Sequence, residues 1–269
     1  MQSSFSLGLL KLTKAARRVW RRIWPAVLLV AVIIILIQWL TDSGVIRHFV
    51  LPRPSDVAMA FVREWPVMKH VILSTMKAAL SGFWAAAALA VLSALLMDRF
   101  LWVSDAFYPL IVITQTLPTL VITPVIVLLF GYGDFARFFT VILVCFFPVT
   151  ISLLHGLRAV DADLIRLMRT MGAREAEILY HVKIPASVPA LFSGLKIAAT
   201  YSIMAAVLAE WAGGGEGLGI YMLRTKRAFR FDAMFASIIW IVVLSLLLYQ
   251  TVIGIEKVTT PWRRGQARR

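Results

Sequence analysis

The sequence predicts an all-α protein, a polytopic membrane bundle of about six transmembrane helices. Of its 269 residues, 60% are hydrophobic and only 16% are charged, and the mean hydropathy is +0.83. Soluble globular domains contain about 25% charged residues. Apolar stretches of roughly 20 residues, the length needed to cross the hydrocarbon core, recur along the chain. Lysine and arginine cluster beside these stretches, as is typical of membrane proteins.

Six stretches are predicted to span the membrane. Five contain no formal charge, and the sixth contains only Lys196. Prolines at three positions in the third stretch disfavour one straight helix, so we expect a short helix, a break and then a bundle helix there. The predicted spans are residues 24–41, 78–97, 106–133, 138–157, 184–209 and 233–255.

The charge pattern predicts the orientation of the chain. Residues 1–23 form a basic arm, residues 24–257 the transmembrane domain, and residues 258–269 a basic tail. Because basic segments remain on the cytoplasmic side, both termini are expected in the cytoplasm, which an even number of spans allows. No signal peptide is predicted, since a full-length span without a cleavage pattern follows the arm.

This topology predicts which connections face the cytoplasm. Residues 98–105 and 158–183 are expected inside, and residues 42–77, 134–137 and 210–232 outside. One feature conflicts with the positive-inside rule, because a basic cluster falls in the last outer connection. Its members are Arg224, Lys226, Arg227 and Arg230.

Residues 50–70 precede the second span and contain three prolines. A capping residue, Ser55 or Asp56, stands before an apolar run that begins at Val57. The pattern predicts a short helix lying at the membrane interface.

A polar stretch, residues 161–185, interrupts the apolar sequence between the fourth and fifth spans. Asp161 and Asp163 are suited to a helix start, and apolar residues then recur at helical spacing up to Met171. Gly172 permits a turn, a second helical run follows, and Pro185 marks the expected boundary before the next span. The pattern predicts a helix–glycine–helix hairpin. Periodicity alone fits an ordinary solvated loop with a surface helix equally well.

The order of residues in this hairpin resembles a known loop. Gly172, nine residues, Val182, one residue, and then Ile184 and Pro185 resemble the second half of the EAA loop of type I ABC importer permeases. The first half departs from the pattern, because Arg166, Leu167 and Met168 stand where that family has EAA. The segments LPRPSDV, TPVIVLLFGYGD and AEWAGGGEGLGIYM are also similar to the nitrate, sulfonate, taurine and pyrimidine-precursor branch.

The resemblance implies a type I ABC importer permease fold and a subunit without enzymatic activity. Such a chain, as a homodimer in the bacterial inner membrane, would form the pathway for a small polar solute, either a pyrimidine vitamin precursor or a sulfonate- or nitrate-like anion. Its partners would be an ABC ATPase dimer, which holds ATP and magnesium, and a periplasmic or lipid-anchored solute-binding protein. No cofactor is expected on the chain itself, since no phosphate-binding loop of the form GxxxxGK[ST] occurs.

The resemblance also implies two functional regions. A coupling region, residues 161–185, would contact the ATPase, and a gate would lie on the outer side. The implied coupling residues are Arg169, Met171, Gly172, Ala173, Arg174, Glu175 and Pro185, and the implied gate or pathway residues are Glu210, Gly213, Gly217 and Gly219.

Three further residues are candidates with simpler interpretations. Lys196 is expected to extend towards the membrane interface, although a place in the pathway is open. His155 has no second metal ligand nearby and is expected to be a buried core histidine. Cys145 is the only cysteine, which excludes an intramolecular disulfide, and is expected to be a small core residue.

Two other classes of protein remain as alternatives. An intramembrane lipid-modifying enzyme would need paired carboxylates or a nucleophile with its base at membrane depth, and none is evident. A secondary transporter would show inverted repeats with matching broken helices, whereas the chain has one broken region. The basic residues flank spans instead of forming a groove with aromatic residues, so nucleic-acid binding is not predicted.

Overall fold

The computed structural model describes residues 24–46 and 50–261, and these residues form helices joined by short connections. The basic arm and residues 262–269 of the tail lie outside the described residues. The helices are α1 (Trp24–Asp42), α2 (Pro54–Arg63), α3 (Trp65–Arg99), α4 (Leu101–Thr116), α5 (Thr119–Phe130), α6 (Asp134–Arg158), α7 (Ala162–Thr170), α8 (Glu175–Ile178), α9 (Ile184–Gly213), α10 (Leu218–Arg227) and α11 (Phe231–Thr259).

Five helical segments of the described chain are long and apolar enough to cross a membrane. The pair α4 and α5 supplies a sixth, because its two helices together pass the same test but meet at a bend of 107°. Pro118 stands at the bend as the residue before α5, and a residue without an N–H there favours an interrupted helix. The predicted break in the third span is therefore confirmed.

Helices α3, α6 and α9 pack against one another and form the centre of the bundle. Small residues allow the close approach. A Cβ atom built on Gly194 of α9 would lie 2.6 Å from the carbonyl oxygen of Pro148 in α6, and one on Gly82 of α3 would lie 2.6 Å from Val141. Membrane helices pack through such small-residue contacts, because lipid gives no hydrophobic force between them. Cys145 is fully buried in this core, as predicted.

The bundle has two distinct ends, which the 30 residues of α9 separate. Residues 158–183 lie at one end, here called the hairpin end. Residues 210–232 lie at the other, here called the glycine-rich end.

The bounds of α3 differ from the prediction. The helix is 35 residues long and begins at Trp65, well before the predicted span start at residue 78. At 1.5 Å per residue it is about 52 Å long, which exceeds the roughly 30 Å of the hydrocarbon core. Hydropathy identified only the more apolar part of the helix, because the amino-terminal part carries polar residues.

The predicted cap of the short helix was wrong. Helix α2 begins at Pro54, its N-cap is Arg53, and the Arg53 side chain does not cap it. Proline at the first position fixes φ and needs no hydrogen-bond partner, so it starts a helix without a polar cap. The helix ends at Arg63, and residues 65–70 belong to α3 instead.

The boundary predicted at Pro185 is present, because α9 begins at Ile184, but it does not interrupt the helix. The chain is helical from Glu175 to Gly213, through a π-helical turn, Leu179–Lys183, which leads into α9. Proline is tolerated here because it occupies the first turn of α9, where an N–H lacks an α-helical partner.

Helix α1 stands largely apart from the bundle, since only 6% of its most apolar window is buried. Polar contacts near its carboxyl end connect it to the start of α2. Arg53 Nε lies 3.0 Å from Asp42 Oδ1, and the Ser55 N–H donates to Gln38 Oε1 at 3.2 Å. Most of the apolar surface of α1 is therefore open to lipid or to another chain.

Candidate functional site

The hairpin begins as its sequence predicts. Asp161 is the N-cap of α7, and its Oδ1 accepts a hydrogen bond from the Asp163 N–H at 2.8 Å. A short acidic side chain at this position satisfies one of the unpaired N–H groups and interacts favourably with the helix dipole.

The turn of the hairpin is built around Gly172, whose φ is +85°. Its N–H donates to Arg169 O, and the Ala173 N–H donates to Met168 O, both at 3.0 Å. These two bonds form a Schellman motif, in which the left-handed residue is usually glycine. The sequence correctly located the turn.

The tip of the hairpin is exposed and polar. Arg169 Nε donates to Glu175 Oε1 at 2.9 Å across the turn, and the Arg174 N–H donates to Glu177 Oε2 at 2.7 Å. Met171 is 75% exposed at the tip. Gly172, Arg174, Glu175 and Pro185 are also exposed, and Ala173 is half-buried. The predicted coupling residues therefore form one surface, apart from Pro185. That residue lies in the second arm of the hairpin, which runs from α8 through the π-helical turn to the start of α9.

The second arm fastens the hairpin to its own bundle. Ile178 is 1% exposed, and Leu179 and Ile184 pack against the apolar cluster at the hairpin end. Lys183 Nζ lies 2.8 Å from Asp98 Oδ2 at the end of α3, and the Asp98 side chain is nearly buried. A force applied at the tip would therefore reach α3 and α9 through packed contacts.

At the glycine-rich end, Glu210 is completely buried. Its Oε1 accepts a hydrogen bond from Thr75 Oγ1 at 2.7 Å, and its Oε2 accepts one from the Gly219 N–H at 2.7 Å. Thr75 Oγ1 in turn accepts from the Leu218 N–H at 2.9 Å. The carboxylate thus holds the turn after α9 against α3.

Residues 210–219 are here called the gate segment, after the role that the resemblance implies for them. The segment folds back on Glu210. The reversal occurs at Gly214 and Gly215, whose φ values are +66° and +91°. Gly217 lies against the acid, because a Cβ atom built on it would be 2.1 Å from Glu210 Oε1. Side chains have no room there, so glycine is required by close approach.

Arg137 is the second buried charge at this end, with 6% of its side chain exposed. Its Nη1 donates to the Glu216 carbonyl oxygen at 2.6 Å and to Ser74 Oγ at 3.1 Å, and its Nη2 donates to Asp134. Arg137 Nη1 lies 3.8 Å from Glu210 Oε1. Opposite charges at this distance in a buried site compensate one another's loss of hydration.

The sequence pointed to Glu210 but missed its partners. Thr75, Ser74 and Arg137 come from α3 and α6, and residues 134–137 were expected to be an outer loop although they form the first turn of α6. The available signal was an Asp134–Arg137 pair at i, i+3 spacing immediately before an apolar span.

A network around the buried Glu64 carboxylate accounts for one member of the unexpected basic cluster. Arg230 and Arg63 both donate to Glu64 Oε1, Tyr221 Oη donates to Glu64 Oε2 at 3.0 Å, and Arg63 also pairs with Asp232. Burial raises the pKa of the Glu64 carboxyl, but these hydrogen bonds outweigh it and hold the pKa below its ordinary value.

One of the simpler candidates differs from expectation. His155 is exposed on α6, so the prediction of a core histidine was wrong. The ring occupies a face of α6 that the described helices leave uncovered. Lys196 has a partner that the sequence did not indicate, since its Nζ lies 2.7 Å from Glu256 Oε2 near the end of α11.

Glu210→Gln should destabilise the chain by about 3 kcal/mol, because the amide has one acceptor oxygen for two buried donors and removes the buried one of the two carboxylates that pair with Arg137. The measurement is thermal unfolding of the full chain in detergent, followed by reaction of a maleimide dye with Cys145, which is buried until the protein unfolds. Glu216→Gln is the control, because the Glu216 side chain is exposed. Equal melting temperatures for both variants would contradict the structural role of Glu210.

The fold and its two polar ends define a helical membrane permease. A model of the family described as "Binding-protein-dependent transport system inner membrane component" matches residues 82–255. The chain belongs to this family, and is an integral membrane permease subunit of an ABC importer and not an enzyme.

Relatives of known name agree with this assignment. A probable ABC transporter permease protein of Haemophilus influenzae is 31% identical over 86% of this chain and 94% of its own length. The formylaminopyrimidine transport permease protein ThiX of Halalkalibacterium halodurans is 28% identical over 87% of this chain and 94% of its own. The putative aliphatic sulfonates transport permease protein SsuC of Bacillus subtilis is 28% identical over 88% and 87%.

Solved structures support the same fold. The MetNI methionine ABC transporter in inward-facing conformations contains a chain that aligns with a TM-score of 0.57 at 17% identity, covering 75% of this chain and 96% of that one. The expectation of a type I importer permease fold is confirmed.

Proposed function

We propose that the chain forms the translocation pathway for a small polar solute, either a pyrimidine vitamin precursor or a sulfonate- or nitrate-like anion. The named relatives include permeases for a formylaminopyrimidine and for aliphatic sulfonates. A separate ATPase dimer, with ATP and magnesium bound to it, would supply the energy. The observation that carries the proposal is the geometry of the hairpin. Its polar tip is exposed, and its second arm packs against the bundle through Ile178 and the Lys183–Asp98 ion pair.

Seven residues would act as the ATPase-coupling contact, six at the tip and one in the second arm: Arg169, Met171, Gly172, Ala173, Arg174, Glu175 and Pro185. A protruding polar tip can enter a groove on a water-exposed partner, and Lys183 and Ile178 connect it to the spans. Closure of the ATPase dimer would then move the hairpins of two copies together and rotate the spans as rigid bodies. The inward-facing and outward-facing states need differ by only a few kcal/mol.

The gate segment would act at the opposite side of the membrane. Glu210, with Gly213, Gly217 and Gly219, would hold the turn closed across α3. Gly213 packs against α5, since a Cβ atom built on it would lie 3.1 Å from Val127 Cγ2. Movement of the spans would open this contact and release the pathway.

The open surface of α1 supports a second copy of the chain and membrane lipid as further partners. A span that buries little against its own bundle can contact the partner of a homodimer. The solute-binding protein, periplasmic or lipid-anchored, would approach the glycine-rich end. In this arrangement both termini and the hairpin face the cytoplasm of a bacterial cell, and nucleic acid has no role.

Two cysteine variants test this arrangement. Met171 and Phe229 are 75% and 79% exposed at opposite ends, and the only native cysteine is buried. In intact cells, a membrane-impermeant maleimide should label Phe229→Cys at once and Met171→Cys only after permeabilisation. In native membranes, Met171→Cys should cross-link to a nucleotide-hydrolysing subunit, with Phe229→Cys as the negative control. Labelling of Met171→Cys from outside, or cross-linking only to other proteins, would contradict the proposal.

A further inference from the structure

A cavity of about 610 Å³ opens between the amino-terminal half of α3 and the start of α6. Its volume lies in the range of small-molecule sites, roughly 300 to 1,000 Å³. The residues that give it chemical character are His70, Lys77, Ser81, Asp134, Phe135 and Glu216.

The cavity lies where water can reach it. The predicted lipid-crossing part of α3 begins at residue 78, so His70 and Lys77 precede it and Ser81 lies in its first turn. A second cavity, of about 400 Å³, shares His70 and Glu216 and continues along the start of α3 to Pro66. Charged side chains are costly in hydrocarbon, so the charged groups that line the two cavities, with Arg224 in the second, place both outside the lipid core and near the glycine-rich end.

The charges of the lining disfavour an anion. Lys77 contributes one ammonium group, whereas Asp134 and Glu216 contribute two carboxylates, and Lys77 Nζ stands 4.0 Å from Asp134 Oδ2. Arg137 does not line the cavity, and the charge of buried Glu210, 3.8 Å from its Nη1, offsets it, so Asp134 still counts towards the lining. A sulfonate or nitrate would need a surplus of cationic donors, and the lining offers the reverse.

The apolar wall suits a flat molecule. Phe135 is 57% exposed, and Phe138 lines the same cavity. The two rings are inclined by 32° with their centroids 6.5 Å apart. Exposed aromatic faces bind planar rings by offset stacking or edge contacts.

The geometry points to this cavity as the solute site of the pathway, selective for a small, neutral, planar heterocycle that carries an amino group. This inference rests on the proposed function and decides between its two solute classes. Asp134 and Glu216 would accept hydrogen bonds from the amino group, Lys77 would donate to a ring nitrogen, and Phe135 would contact the ring. A solute at Glu216 would also touch the gate segment, whose position depends on the bond from Arg137 to the Glu216 carbonyl oxygen.

Protection from thiol labelling tests the site in native membranes. Ser81→Cys places a thiol in the cavity, and Lys69→Cys places one on the exposed surface of α3 outside it. Saturating 4-aminopyrimidine should slow the reaction of Ser81→Cys with N-ethylmaleimide by about fivefold or more, and ethanesulfonate should leave it unchanged. Lys69→Cys should respond to neither probe. Equal protection by ethanesulfonate, no protection by 4-aminopyrimidine, or no labelling of Ser81→Cys at all would overturn the inference.

A charge reversal at Glu216 tests the basis of selectivity. Its side chain is exposed and only its backbone oxygen joins the buried network, so substitutions keep the gate segment intact. In the Ser81→Cys background, Glu216→Lys should abolish protection by 4-aminopyrimidine and create protection by ethanesulfonate, and Glu216→Gln should weaken the first without creating the second. Unchanged preference in Glu216→Lys would overturn the inference.

The two proposals fail separately. Cross-linking of Met171→Cys to the ATPase together with an unprotected Ser81→Cys would retain the importer and reject the cavity. Protection of Ser81→Cys without the cross-link would retain the binding site and reject the coupling.

Discussion

Gly217→Ala should lower the melting temperature of the full chain by on the order of 5 °C or more, corresponding to about 3 kcal/mol. The added Cβ would lie 2.1 Å from Glu210 Oε1. A long flexible side chain would normally move aside at little cost, but this carboxylate is fully buried and bonded to Thr75 and Gly219. Displacing it breaks both bonds inside a site that water does not reach.

The maleimide-dye assay on Cys145 measures the effect of Gly217→Ala. Gly254→Ala is the matched control, since Gly254 lies within α11 and a Cβ atom built there meets nothing within 4 Å. Alanine favours a helix over glycine by about 1 kcal/mol, so the control should melt at the same temperature or slightly higher. If Gly217→Ala behaved like the control, the close packing of the gate segment on Glu210 would be refuted.

Gly172→Val should uncouple transport from ATP hydrolysis while leaving the melting temperature nearly unchanged. Nothing lies within 4 Å of a Cβ atom at this exposed position, but its φ of +85° is one that a β-branched residue strongly disfavours. The strain, on the order of 1–3 kcal/mol, would be relieved by deforming the hairpin tip. Uptake should fall by roughly tenfold, the equivalent of about 1.4 kcal/mol.

Gly172→Asn separates backbone geometry from side-chain size, because asparagine adopts positive φ more readily than other residues. It should retain most of the uptake. The measurements are solute uptake and solute-stimulated ATP hydrolysis in proteoliposomes that contain the permease, its ATPase and its binding protein. Normal stimulation in Gly172→Val would show that the tip is not the coupling element.

The hairpin illustrates how far local sequence reaches. Asp161, Gly172 and the helical spacing between them depend on contacts within a few residues, so the cap and the turn followed directly from residue type. Pro185 likewise indicated the start of α9, because proline is favoured in the first turn of a helix. Residue type did not indicate the π-helical turn that joins α8 to α9 without a break.

The gate segment illustrates the limit. Glu210 is conspicuous as a charge at the end of an apolar span, and the glycines after it indicate a turn. Its partner Thr75 lies 135 residues away, and Arg137 stands at the start of another helix. No periodicity identifies such pairs, since they exist only once α3, α6 and α9 have packed together.

By itself the sequence determined the long apolar helices, the break in the third predicted span and the location of the hairpin, because lipid requires long apolar helices and proline and glycine act on their immediate neighbours. Tertiary structure alone decided that α3 begins as early as Trp65, which residues surround Glu210, and that two carboxylates and one lysine share a cavity beside Phe135. Those features depend on distances between helices, which the packing of small side chains at their contacts sets.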